Sequence, residues 1–334
     1  MYYKKVISIK YVSKSYYVSG NELLYNDGKS LYHYDLLNNK EIYSAAVNKG
    51  FEFIKRVKEI IIGISSFAYT FLSLDFQPIK ITLVENGLGD YNLFNDNLVI
   101  VTTDYDYTNF LPKQGLQDVF SDKVLWETDL GQTIHIKAGQ VYTFSFNEIN
   151  KRKIINGEVI WSLKITAEKT VPKFIAALKS ILILGLNENV LLGINTETGE
   201  VLWKIENFNN SSYVLDENEG RLKGITGIGY YEIDIVSGKR HRTLLRSIEE
   251  ISNPEIFDSQ RDNFVLIGDH IITTDCSRGI IAAFNTKTLK YDWIHEEKDV
   301  YFPAAKPIKF YDPYLFVLDN KSTLHIFKRE DKIV

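Results

Sequence analysis

Gly193-Ile-Asn-Thr-Glu-Thr-Gly-Glu-Val-Leu-Trp203 reads as a strand end, a tight turn and a second strand. Leu191 and Ile194 flank Gly193 in a short apolar run, the composition of a buried strand. Asn195 opens the turn, because its side-chain oxygen can accept bonds from the N–H groups two residues on. Gly199 closes it, since the backbone must pass through positive φ there. Glu200-Val-Leu-Trp203 resumes with the β-branched and aromatic residues that suit a strand. The frame is small-x-[Asp/Asn]-x-x-x-Gly-x-x-x-Trp.

Working outward, Ala283, Asn285, Leu289 and Trp293 keep the frame with Leu in place of Gly, and Glu232, Asp234, Gly238 and Arg242 keep the turn without the Trp. His33, Asp35, Asn39 and Tyr43 keep it with Asn in the positive-φ place and Tyr in the aromatic one. Gly157 and Trp161 preserve the second half, as does Trp126 after Asp122-Lys-Val-Leu. The chain has four Trp, and all four fall on this single repeat position. Taking Tyr43, Ile81, Trp126, Trp161, Trp203, Arg242 and Trp293 as equivalent gives a mean spacing of about 42 residues. Repeats of ~40–50 residues carrying four short strands are the sequence signature of a β-propeller.

The expectation is one all-β domain over residues 1–334, a propeller of eight four-stranded antiparallel blades, with seven the alternative count. The last unit shows three strands (308–311, 314–318 and 323–327), so the spare strand at 4–12 is expected to complete it and remove two open edges. In the second unit strands are expected at 51–57, 59–64, 68–74 and 79–84. In the fourth they are expected at 133–137, 141–146, 153–155 and 158–165. Two stretches read as insertions: a loop over 104–113 in the third unit, and 247–263 at the start of the seventh.

The frame resembles the tryptophan-docking repeat of the pyrroloquinoline-quinone (PQQ)-type propellers, matched fully at Gly193, Asn195, Gly199 and Trp203 and partly in the other units. That resemblance implies that Trp126, Trp161, Trp203 and Trp293 pack between blades, with Asn195 and Gly199 forming a docking turn. One branch of the family comprises quinone-dependent dehydrogenases, many with vicinal cysteines, a calcium site and an export signal. This chain has one cysteine and no such signal, so no cofactor is expected. The other branch consists of binding platforms such as the outer-membrane assembly scaffold, and small bacterial propellers include predicted immunity partners of secreted toxins.

The chemistry-bearing residues form no recognisable set. Six His occur with no HExxH, HxH or Cys/His cluster; His33 and His325 fall at equivalent positions of the first and last units. Cys276 reads as a strand-end core residue, and Lys151-Arg-Lys153 as a solvated basic patch. Gly224-Ile-Thr-Gly-Ile-Gly229 lacks the following helix of a phosphate loop. A net charge of −4 gives no global basic surplus for nucleic acid. The single cysteine and the absence of a leader or bilayer-length apolar run point to a soluble cytoplasmic protein, or a periplasmic one with its signal removed. Tyr105, Tyr107 and Phe110 sit in the expected loop of the third unit, and exposed aromatics on a rigid scaffold are typical interface anchors. The reading is a non-enzymatic, monomeric scaffold that binds a protein partner through loops on one face. The alternatives are an oxidoreductase or other enzyme with a site on the propeller axis, and a small-ligand or glycan sensor.

Overall fold

The computed structural model describes residues 2–13, 15–47, 50–88, 93–145, 147–165, 172–186, 190–206, 213–226, 229–245, 264–275, 277–303 and 308–330. Every regular element among them is a β-strand. The chain divides into two compact units, Ser15–Glu206, and Met1–Lys14 with Asn207–Val334. The N-terminal strand β1 (Tyr2–Ile9) belongs to the second of these.

The first unit holds five sheets, each a meander of consecutive antiparallel strands. They are β2–β5 (Tyr16–Ser19, Glu22–Asn26, Ser30–Asp35, Lys40–Ala46), β6–β9 (Phe53–Val57, Ile60–Ser65, Ala68–Leu72, Pro78–Leu83) and β10–β12 (Leu98–Asp106, Leu111–Asp118, Lys123–Glu127). Next come β13–β16 (Thr133–Lys137, Gln140–Ser145, Glu148–Arg152, Val159–Lys164) and β17–β20 (Lys173–Leu178, Ile181–Leu186, Val190–Asn195, Val201–Ile205). The third sheet has three strands among the described residues, and bridges at Leu88–Val101 and Phe94–Leu98 occupy the place of its first strand.

The second unit holds β21–β24 (Val214–Asp216, Arg221–Thr226, Gly229–Asp234, Arg240–Leu245) and β25–β28 (Val265–Ile267, His270–Thr274, Ile280–Asn285, Lys290–Glu296). Its last sheet runs β29 (Lys309–Tyr311), β30 (Tyr314–Leu318), β31 (Leu324–Glu330) and then β1. The N-terminal strand therefore completes the last blade, as the spare strand predicts, and Val12 N–H donates to the Ser322 carbonyl at 2.9 Å beside it. Eight blades of this kind make an all-β propeller.

Apolar faces explain why the sheets stack. The second strands of the second, fifth and eighth blades are nearly continuous apolar sequence, Ile60–Ile64, Ile181–Leu186 and Tyr314–Leu318, as expected for strands covered on both faces. Core clusters span consecutive blades. Tyr142, Phe144, Ile149 and Trp161 of the fourth pack with Leu182, Leu184 and Leu192 of the fifth. Ile272, Ile281 and Trp293 of the seventh pack with Leu315, Phe327 and Tyr3 of the eighth.

Seven blades share one further feature, a bulge where the fourth strand begins. It sets Tyr43 opposite His33, Trp126 opposite Leu116, Trp161 opposite Lys151, Trp203 opposite Gly193, Arg242 opposite Glu232 and Trp293 opposite Ala283. In the second blade the residue so placed is Lys80, opposite Phe71, and not Ile81. There the turn reaches positive φ three residues after Ser73, at Phe76, so the docking position arrives one residue early. Two other expectations are corrected. The third strand of the fourth blade is Glu148–Arg152, and residues 153–155 lie in the turn that follows, because Lys153 occupies the turn-opening place of the frame. Residues 104–113 are no loop insertion but the end of a long hairpin formed by β10 and β11. The expected insertion at 247–263 lies outside the described residues.

Candidate protein-interaction site

The docking position is structural, and its geometry shows how. Asn195 Oδ1 accepts from the Glu197 and Thr198 N–H groups at 2.8 and 3.2 Å, and Gly199 follows at φ 75°. The Trp161 ring of the preceding blade lies on Gly199, where a Cβ would sit 2.7 Å from the indole, and Trp161 Nε1 donates to the Thr196 carbonyl at 2.8 Å. Trp126 repeats this on Gly157, with Nε1 donating to the Ile154 carbonyl at 2.7 Å. Earlier in the chain the pair changes chemistry but not position. Tyr43 meets the positive-φ residue Phe76 with ring centroids 5.3 Å apart, and Lys80 forms an ion pair with the positive-φ residue Asp122. Trp203 is half-buried and lies over Gly193 of its own blade, whereas Trp293 packs against Tyr3 at 5.1 Å. The Arg242 side chain lies outside the described residues.

Sequence reading set Asp122 ahead of Trp126 in the second half of the frame but missed the residue that opens this turn. Asp118 opens the third turn by accepting from the Phe120 and Ser121 N–H groups, and Asp122 takes the glycine place at φ 56°. The spacing Asp118-x-x-x-Asp122-x-x-x-Trp126 was the available signal, hidden because Asp stands where Gly is expected.

Tyr105, Tyr107 and Phe110 come together at the tip of the β10–β11 hairpin. Asp106 turns the chain: its carboxylate accepts from the Thr108 N–H at 2.8 Å, the Asn109 N–H at 3.2 Å and Asn109 Nδ2 at 2.8 Å. Those bonds, the Asn109 side chain foremost, hold its carboxyl below the usual carboxylate range. Phe110 then adopts φ 56°, a left-handed conformation that costs a bulky residue strain. Buried contacts compensate Phe76 at the same conformation, for it is 4% exposed, but Phe110 is 75% exposed and Tyr107 76%. Tyr105 is half-buried and leans on Tyr107 with centroids 5.0 Å apart. The stem below is braced. Gly131 N–H donates to the Pro112 carbonyl and Thr128 N–H to the Gln114 carbonyl, both at 2.8 Å, and Lys113 pairs with Glu127 at 2.6 Å. A rigid stem thus presents two exposed rings, and the exposed carboxylates Asp104 and Asp129 lie near Lys113 in that stem.

The remaining candidates have other occupations. His135 stacks on Phe174 at 4.5 Å, and burial pushes its imidazole down to about 4. His33 lies 3.7 Å from Glu22 in its own blade, and His325 bonds Asp319 at 2.9 Å in its own, so each has a local partner. Lys151 and Arg152 are not a solvated patch: Lys151 is 7% exposed and donates to the Thr196 carbonyl at 2.7 Å, and Arg152 donates to Thr143 Oγ1 and the Gly157 carbonyl. Both brace the docking turns; Lys153 alone of the three faces solvent. Cys276 lies outside the described residues. Among the described residues, no group of three or more His, Cys, Asp or Glu side chains is placed to hold a metal ion.

No family model matches the sequence. No curated protein matches it either. Solved structures do. The chain is similar to the computationally designed Ika8 protein (TM-score 0.69, 11% identity, 97% of this chain and 98% of that one), and to BamB from Moraxella catarrhalis (0.69, 10%, all of both chains). It is similar also to Sqt1 from Saccharomyces cerevisiae (0.70, 7%, 99% of this chain and all of that one). At such low identities these likenesses establish the fold: the chain is an eight-bladed β-propeller.

Proposed function

We propose that this propeller is a non-enzymatic scaffold that binds a protein partner through the tip of the β10–β11 hairpin. The observation that carries the reading is Phe110, held in a strained conformation and three-quarters exposed at the end of a braced stem. Burial of Phe110 and Tyr107 in a partner would supply the apolar contact that the isolated chain withholds from them, and rigid aromatic anchors dominate the energetics of most interfaces. The exposed carboxylates Asp104 and Asp129 of the stem suit a partner with a basic rim around its apolar pocket. We also assign the chain to the PQQ-type branch of propellers, supported by the Trp–Gly docking at Trp126/Gly157 and Trp161/Gly199.

The test is affinity co-purification from the native host followed by mass spectrometry, with the parent chain and a Tyr105→Ala/Tyr107→Ala/Phe110→Ala variant. Loss of a parent-specific partner from the variant, with an unchanged melting temperature, supports the assignment. Recovery of the same partners at unchanged affinity removes the tip from the interface.

A further inference from the structure

The fourth strand of a blade is a sheet edge, and edges are normally protected by charge or irregularity. In β9, Val84 N–H donates to the Phe67 carbonyl beside the pair Leu83–Ala68. Antiparallel alternation then directs the N–H and C=O groups of Ile81 and Leu83 away from β8, up to the bulge at Ile79. Ile79, Ile81 and Leu83 are 60%, 59% and 78% exposed. Lys80 and Thr82, between them, turn back to Asp122. Other fourth strands differ. The corresponding outward places hold Ser162 and Lys164 in β16, Lys204 in β20, Glu127 in β12, and Asp292 and Glu296 in β28. Among these strands β9 presents an outward row that is wholly apolar.

We propose that β9 pairs with β9 of a second copy of this chain, antiparallel, about a two-fold axis at Ile81. The row is self-complementary in that register. Ile81 meets Ile81 and the side chains of Ile79 meet those of Leu83, and the outward N–H and C=O groups of the two Ile81 residues fall opposite one another. Beyond the row Gln77 meets Glu85, so no like charges oppose each other. Both copies use the same patch, as a two-fold interface requires. One strand pair is small beside the ~1,200 Å² of a stable interface, so the dimer forms at high protein concentration and dissociates on dilution.

Sedimentation velocity of the full chain from about 1 to about 200 μM tests this. The parent is expected to shift from its 38.5 kDa monomer toward twice that mass. Ile81→Lys, which sets two ammonium groups against each other on the axis, is expected to stay monomeric with unchanged circular dichroism and melting temperature. Ile42→Lys, on the exposed face of β5, is expected to dimerise like the parent. In a Cys276→Ser background, a short bis-maleimide is expected to couple Ile81→Cys to itself and leave Ile42→Cys uncoupled. A parent that stays monomeric at the highest concentration overturns the proposal, as does an Ile81→Lys chain that dimerises or cross-linking equal at the two sites.

Discussion

The residue that decides each docking turn is the one at positive φ, and its identity matters in two separable ways. At Gly199 and Gly157 the backbone is left-handed, φ 75° and 69°, and an indole lies where a side chain would begin. Gly139, at φ 71° in the β13–β14 turn, has nothing within 4 Å of its would-be Cβ. An Ala at Gly139 therefore meets backbone strain alone, and is expected to cost about 1 kcal/mol. At Gly199 or Gly157 the same change adds the displacement of a ring, and about 2–4 kcal/mol is expected. Urea unfolding of the three variants measures the difference; equal losses would mean that the Trp contact contributes nothing. Glycine periodicity made this position legible in the sequence. Leu289 and Asp122 could be placed there only through the Trp four residues on; Phe76, with no Trp after it and no glycine of its own, carried no mark in the sequence.

At the scale of the element, Lys80 and Asp122 show how one blade contact can be rewritten in other chemistry. Both belong to the docking scheme, the first where Trp stands elsewhere and the second where Gly stands. Asp122 also accepts from Tyr69 and from Thr82 Oγ1, so its carboxylate is held from three sides. Partial burial pushes its pKa up, but the bonds from Lys80, Tyr69 and Thr82 outweigh this and hold it below the usual range. Both side chains are more than a third exposed, so a double-mutant cycle of Lys80→Ala and Asp122→Ala is expected to give a coupling of only about 0.5–1 kcal/mol at pH 7. A folded-state pKa below the unfolded value means stability present above the ordinary carboxylate range and lost as pH falls through the depressed value. The coupling should accordingly hold from pH 8 to about 4 and fade below that. Lys80→Trp with Asp122→Gly restores the commoner pair, and should recover most of what either change loses alone. The misplacement of this position at Ile81 has the same root. With no Trp and no Gly to mark it, the sequence offered only the mean spacing, and a turn shortened by one residue falls inside that tolerance. The β10–β11 tip was legible as a concentration of aromatics. That it stands on paired strands was not, because Asp, Asn and Pro in the stretch are ordinary loop residues.

For the molecule as a whole, the question is what holds the chain ends. Terminal residues of most domains tolerate change because little is packed on them. Here Tyr3, third in the chain, is 2% exposed. It lies on Trp293, occupying the place that a docking turn fills against Tyr43, Lys80, Trp126 and Trp161, since the last blade is completed by β1 and has no turn between its third and fourth strands. Pairing from Tyr2–Glu330 to Ile9–Leu324 fixes β1 along the whole of β31, and Lys5 adds an ion pair to Glu297 at 2.5 Å. The sequence announced this closure through the arithmetic of strands, three in the last unit and one to spare at the start. It did not announce Tyr3 as the substitute partner, because nothing local distinguishes Tyr3 from Tyr2. The two neighbours therefore make a discriminating pair. Tyr2 is 46% exposed, and Tyr2→Ala is expected to change stability by less than about 0.5 kcal/mol. Tyr3→Ala is expected to cost about 3–4 kcal/mol, the range for emptying a buried aromatic site, while Tyr3→Phe keeps the ring and should stay near the parent. Thermal and urea unfolding of the three variants separate these outcomes. If Tyr3→Ala proved as mild as Tyr2→Ala, β1 would be an appendage, and the eighth blade would stand on three strands.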